Sequence, residues 1–267
     1  MDFKKTALGF GTRILRIAGI ILVIYVSMVF YLALTERRNA FPRAITHIEA
    51  NKAIEGTAKA ITCTTEDGAV LGGWAIGNPA QRALLYYPDA DEDAAQFLAE
   101  VGKLEGTSLI TFNYRGSANN KGTPSQETFE PDARAILECA TAWGGVPAFV
   151  AGRGTGAILA AKQVRNGQKA ILIDPAMSIA DAISEKYGLL YPKFLVRADV
   201  EMPHEKLQGS TPKPTLLLDR KKYRDRNHSF FNNLTNLDTL ERGNKTLIQT
   251  LSILVDKQTN TDTTHIK

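Results

Sequence analysis

Residues 149–160, FVAGRGTGAILA, place three glycines between an apolar run and the start of a helix. A turn of that kind holds a phosphate, a nucleophile or nothing. Read as G-x-G-x-x-A (Gly152, Gly154, Ala157), it matches a dinucleotide fingerprint. Backbone N–H groups and a helix N-terminus would hold a pyrophosphate, and Asp174, 22 residues after Gly152, would bind a ribose hydroxyl. Read as G-x-S-x-G, it is the sharp strand-to-helix turn that presents a catalytic serine, which demands small residues two before and two after it. Gly152 and Gly156 fill those places, and Gly154 stands where the serine would be. The remaining reactive side chains are sparse. Cys63 and Cys139 are 76 residues apart and define no disulfide framework, and four histidines show no metal-ligand spacing. No cofactor or metal is called for.

The elements around the turn weigh between the two readings. Residues 58–77 hold two β-rich runs around Glu66-Asp67-Gly68, a hairpin signal. Apolar runs at 83–87 and 107–113 read as buried strands. Between them Ala94, Phe97, Leu98, Val101 and Leu104 share one helical face. Phe129, Ala133, Ile136, Leu137, Ala140 and Trp143 mark a second amphipathic helix. Then follow a strand at 146–151, the turn, a helix at 157–166 and a strand at 169–173. Residues 175–212 are irregular and partly helical, and the runs 214–218 and 246–255 read as two last strands. Alternating strands and helices after a hairpin predict an α/β domain with a mostly parallel central sheet and helices on both faces. A dinucleotide domain normally opens with its glycine turn. Here four or five strands precede the turn and fewer follow it, and Asp174 runs directly into Pro175, as a strand end would. Dinucleotide binding at 152–157 therefore stands as the alternative.

The chain is organised around one further segment. Residues 14–34, ILRIAGIILVIYVSMVFYLAL, carry a single charge, Arg16, and are apolar all round. At about 1.5 Å per residue they span a hydrocarbon core of about 30 Å. No small-x-small cleavage site follows, so an uncleaved single-pass anchor is expected, held in membrane lipid. Lys4, Lys5, Arg13 and Arg16 lie before or within the span, and Arg37, Arg38 and Arg43 lie after it. That balance leans to a domain on the non-cytoplasmic side. The first 44 residues hold seven of the 32 Lys/Arg and two of the 28 Asp/Glu, leaving 25 against 26, or −1, for the rest. The basic balance thus belongs to the anchor and is no argument for nucleic acid. The expected organisation is a tail at 1–13, a transmembrane helix at 14–34, a connector at 35–56, a domain at 57–256 and a polar tail at 257–267.

Several stretches resemble the α/β-hydrolase superfamily, and within it the membrane-anchored abhydrolase-domain serine hydrolases. FNYRGSANNKGTPS (112–125) is similar to the family's strand and loop DYRGYGxSxGxPS. TTEDGAVLGGWAIGNP (64–79), AILIDPAMSIADA (170–182), YPKFLVRADVEMPHEKL and PTLLLDRKKY resemble further family segments in the family's order. The resemblance covers about 190 of the 267 residues. It implies an α/β-hydrolase fold with a short cap at 175–212 and a serine–histidine–acid mechanism aided by backbone oxyanion donors.

Carried over position by position, that machinery is missing. Gly154 has no side chain with which to attack. Thr155 falls where the family uses a backbone N–H for the oxyanion, so its side chain should point elsewhere. The oxyanion loop is Pro88-Asp89, a residue without an N–H followed by a carboxylate that would repel developing negative charge. The acid position falls near Tyr223, and Asp225 would serve only if the loop shifted. The histidine should stand just beyond residues 246–251, where none occurs, and His265 lies in the polar tail. His228 reads as a surface or helix-start residue, and His47 and His204 as structural or solvated ones. Arg115 and Gly116 read as loop-formers. Arg153 with Lys221, Lys222, Arg224 and Arg226 suggests a basic rim open to a ligand or to lipid headgroups. The chain therefore reads as a pseudoenzyme binding a small molecule, lipid or protein, its binding positions being Pro88, Asp89, Arg115, Arg153, Gly154, Thr155 and Tyr223. An active ester or acyl hydrolase using Thr155, Asp225 and His228 is the alternative.

Overall fold

The computed structural model describes residues 3–36, 40, 41, 43–219 and 234–264. Helix α1 (Phe3–Leu34) precedes the domain, and α2 (Ile48–Ile54) lies in the connector. This short helix forms because the His47 Nδ1 accepts the Ala50 N–H at 3.1 Å, while Ala50 and Ile54 turn inward.

Eight strands make one sheet in the order β1-β2-β4-β3-β5-β6-β7-β8. The hairpin β1 (Lys59–Thr64) and β2 (Val70–Ile76) is antiparallel, β2 pairs antiparallel with β4 (Thr107–Phe112), and every pairing beyond is parallel. The inner strands β3 (Arg82–Tyr87), β4, β5 (Phe149–Arg153) and β6 (Lys169–Ile173) are buried on both faces, which explains their unbroken apolar runs. Alternate residues serve two cores. Leu85, Tyr87, Val150 and Leu172 face the layer containing α4 (Gln126–Gly144) and α5 (Thr155–Gln163). Leu84, Tyr86, Phe149 and Ile171 face the layer containing α3 (Ala94–Val101) and α8 (Leu247–Thr264). Cys63 on β1 and Cys139 on α4 are joined by a disulfide, with their Cα atoms 5.7 Å apart.

One expectation is corrected. The run 246–255 is the start of α8 and not a strand, while the last strand is β8 (Asp238–Glu241) at the sheet edge. Leu247, Leu251, Leu254 and Val255 recur at helical spacing and are buried. Thr246 and Gln249 exchange bonds as a capping box: the Thr246 N–H donates to Gln249 Oε1 at 2.9 Å and the Gln249 N–H to Thr246 Oγ1 at 3.3 Å. The helix continues through residue 264, into the segment expected to be a polar tail.

The cap region comprises two short helices, α6 (Ile179–Tyr187) and α7 (His204–Gln208), with two 3₁₀ turns between them (Gly188–Leu190 and Lys193–Leu195). β7 is Thr215–Leu218. Among the described residues, the stretch Gly11–Leu34 of α1 is long and apolar enough to cross a membrane, and it is almost entirely unburied.

Candidate functional site

The turn between β5 and α5 has the strained shape its sequence implies. Gly154 adopts φ 56°, ψ −119°, a conformation that costs an L-residue energy and glycine little. Neighbours hold it there: its N–H donates to Ile173 O at 3.1 Å, and its carbonyl accepts from Ala176 N at 2.9 Å. The flanking glycines are demanded by packing. A Cβ on Gly152 would overlap the Gly156 carbonyl, and one on Gly156 would overlap the carbonyls of Tyr87 and Pro88 at the end of β3.

What fills the missing side chain's place is a carboxylate. A Cβ on Gly154 would clash with the carboxyl carbon and both oxygens of Asp89. Asp89 Oδ1 accepts the Thr155 N–H at 2.9 Å, the Thr155 hydroxyl at 3.1 Å and the Ala90 N–H at 2.8 Å. The Asp89 N–H turns away to Glu92 Oε2 at 3.0 Å. The backbone donor that an oxyanion or phosphate would need on α5 is thus already engaged by a fixed negative charge. Thr155 departs from expectation here. Its side chain does not point away but joins its own N–H on Asp89, because the carboxylate lies within reach of both.

Arg153 also departs. It forms no rim, being 8% exposed and turned under the sheet edge. Its Nη1 lies 2.7 Å from Glu92 Oε1 and its Nη2 2.9 Å from Glu100 Oε2, with Asp219 Oδ2 at 3.9 Å. Arg242 closes the cluster on Asp219 and Glu100. The Tyr86 hydroxyl donates to Glu92 Oε2 at 2.6 Å. Burial pushes the Glu92 carboxyl upward, and the Arg153 charge opposes it. Burial likewise disfavours the Arg153 charge, but Tyr86, Glu92 and Glu100 outweigh it and raise its pKa. Sequence reasoning missed Asp219 and Arg242. They lie just past the end of β7 and at the start of the loop after β8.

Arg115 is turned away from the turn as well. Its Nε and Nη2 donate to the two Asp132 oxygens at 2.6 Å each, and Nη1 and Nη2 donate to Asp67 at 2.8 and 2.9 Å. It ties the β1–β2 hairpin to α4. Gly116 at φ 73° packs where a Cβ would lie 2.9 Å from Gly122 O. Hydrogen bonds from Arg115 hold the Asp67 carboxyl well below the usual carboxylate range. A depressed folded pKa adds stability above the unfolded value that is lost as pH falls below it. Asp67→Asn should therefore flatten the acid limb of a Tm-against-pH curve below about pH 4. The effect is modest, since the Asp67 side chain is 55% exposed.

The acid of the dinucleotide reading, Asp174, is buried, and its Oδ1 accepts the Asp219 N–H at 2.8 Å. His47 caps α2, and His204 opens α7 with its pKa lowered by burial. Tyr223, Asp225 and His228, with Lys221, Lys222, Arg224 and Arg226, lie outside the described residues, as does His265. Above Gly154 opens a cleft of about 890 Å³, bordered by Phe41, Arg43, Asp89, Thr155, Ile183 and Lys186. The Nε of Arg43 is buried there without a hydrogen-bond partner among the described residues.

No family model matches the chain. A curated uncharacterized protein of Mycobacterium tuberculosis is 25% identical over 131 residues, 47% of this chain and 47% of its own, so the chain spans about half the length of the curated relative it matches. An α/β hydrolase of Vibrio vulnificus superposes with TM-score 0.64 at 19% identity, covering 86% of this chain and 92% of that one. An esterase of Pyrococcus furiosus gives 0.57 at 15% identity, covering 82% and 93%. A proline iminopeptidase-related protein of Thermus thermophilus gives 0.54 at 15%, covering 69% and 88%. The chain has the α/β-hydrolase fold.

Proposed function

We propose that this chain is a membrane-anchored α/β-hydrolase-fold protein without serine-hydrolase chemistry, which binds a small molecule, lipid or protein at the cleft over the β5–α5 turn. The observation that carries this reading is the Asp89 carboxylate in the place of the nucleophile. Without serine and histidine the covalent route is closed. A negative charge fixed on the Thr155 N–H opposes the very charge an oxyanion hole must favour. The cleft, with Arg43 and Lys186 at its border, remains for binding.

The wild-type chain and the Gly154→Ser variant, assayed on short acyl esters, should both show no turnover above the uncatalysed rate, because the new hydroxyl would lack a base and would displace Asp89. Robust wild-type turnover abolished by Thr155→Ala would sink the proposal in favour of a hydrolase using Thr155, with Asp225 and His228. A saturable rise in Tm on titration with NAD(P) would instead support dinucleotide binding.

The domain lies on the non-cytoplasmic side of the membrane in this proposal, and the Cys63–Cys139 disulfide supports that side, since such bonds persist in oxidising compartments. Quenching cells in acid and labelling the denatured protein with a polymer-tagged maleimide should modify neither cysteine before reduction and both after it. Two free thiols in fresh membranes would place the domain in a reducing compartment.

A further inference from the structure

Outside α1, the two 3₁₀ turns of the cap carry three exposed large apolar residues within six positions: Leu189 at 90%, Leu190 at 42% and Phe194 at 83%. Single exposed apolar residues need no explanation, but a cluster of this kind costs a water-facing domain and marks a contact. Its position says with what. The Tyr25 hydroxyl of α1 donates to the Leu189 carbonyl at 3.4 Å. Tyr25 lies within the apolar stretch Gly11–Leu34, nine residues before its end. At 1.5 Å per residue that is about 14 Å back along the helix axis. The turn therefore runs beside the apolar helix and does not stop beyond its end.

The two are also fastened together. Glu36, just past α1, is buried. It accepts the Arg197 and Ala198 N–H groups at 2.6 and 3.0 Å and the Tyr191 hydroxyl at 2.9 Å. Arg197 Nη2 donates back to Ala33 O at 3.0 Å. Leu32 is buried, and Met28 and Ala33 pack against the core. The flanking Lys193 and Arg197 side chains are 55% and 77% exposed, and their charges are paired with Asp181 and Glu36.

We infer that residues 188–195 form a lip immersed in the lipid bilayer beside α1, with Leu189, Leu190 and Phe194 among the acyl chains. This rests on the anchored reading above. A bilayer that accepts Gly11–Leu34 also surrounds a turn that touches Tyr25. The same α6 that leads into the lip contributes Ala182, Ile183 and Lys186 to the cleft wall, so the cleft opens close to the membrane surface. The ligand class this suits is a lipid-borne one, entering from the bilayer and not from bulk water.

The test uses the full chain, disulfide intact, reconstituted in phosphatidylcholine–phosphatidylglycerol vesicles. Leu189→Cys, Phe194→Cys and, as a control, Val146→Cys are spin-labelled. Val146 is 65% exposed and precedes β5, at the opposite end of the parallel strands. Labels at 189 and 194 should collide with dissolved oxygen in preference to a water-soluble nickel chelate, at a ratio several-fold above that at 146. A ratio equal to the control, on protein that floats with the vesicles and resists carbonate extraction, overturns the lip but not the anchor. Shielding from both reagents signals a protein neighbour and also overturns it. Protein that fails to float overturns the anchor and the lip with it.

Discussion

Replacing Arg153 by methionine is expected to lower the unfolding free energy by about 3–5 kcal/mol, the usual cost of removing one partner from a buried ion pair. Arg153 is held by Glu92, Glu100 and Asp219, and the Glu92 and Asp219 side chains are only 7% and 9% exposed. Methionine keeps most of the volume, so the loss reports charge rather than packing. It would leave Glu92 buried with only Tyr86 and the Asp89 N–H as partners, while Arg242 still serves Asp219 and Glu100. The measurement is denaturant unfolding of the full chain in detergent, followed by tryptophan fluorescence, beside the exposed Arg134→Met as control. Adding Glu92→Gln to Arg153→Met should recover part of the loss, since no buried charge is then unpaired. A loss no greater than the control's would show that the cluster is dispensable. The cluster's position gives the result its meaning. It joins the end of β5, the end of β7 and the loop after β8, so these ions tie three strand ends together beside the β5–α5 turn.

The fold was largely legible because its signals are local. Unbroken apolar runs marked β3 through β6, two β-rich runs around Glu66-Asp67-Gly68 marked the hairpin, and the spacing of Phe129, Ala133, Ile136 and Ala140 marked α4. β8 escaped because an edge strand reading DTLE buries almost nothing. α8 was misread although Thr246-Leu-Ile-Gln249 announces a helix start, because a short apolar run fits strand and helix alike. At the site, the sequence exposed what Gly154 lacks and the unfavourable sign of Asp89. It did not expose that Asp89 occupies the vacancy or that Thr155 turns toward it. Those facts depend on how closely β3 approaches α5. The ion cluster was invisible for a similar reason: residues 92, 100, 153, 219 and 242 share no spacing and meet only through sheet order. The Glu36 clamp on the cap joins residues more than 150 positions apart, and the disulfide joins two 76 apart.

Gly156→Ala is expected to cost about 3 kcal/mol or more, the upper range for forcing an added carbon into a packed interior. That is a large share of a domain's total stability. The obstacle is backbone. The new Cβ would overlap the carbonyls of Tyr87 and Pro88, at the end of a strand whose side chains are buried, so no rotamer change relieves it. Strand β3 and helix α5 would have to separate. Gly152→Ala meets the Gly156 carbonyl and the Ala157 nitrogen and should cost a similar amount. Gly167→Ala is the contrasting control: it has φ 87° but open space around it, so only backbone strain of about 1–2 kcal/mol applies. The comparison bears on function, because it separates glycines kept for shape from glycines kept for a ligand. If helix packing alone demands Gly152 and Gly156, the spaced pair would be present whether the turn held a serine, a phosphate or neither. The assignment then rests on Gly154 and on what stands over it. A Gly156→Ala chain as stable as wild type would remove that argument, and the turn would again have to be explained by something it holds.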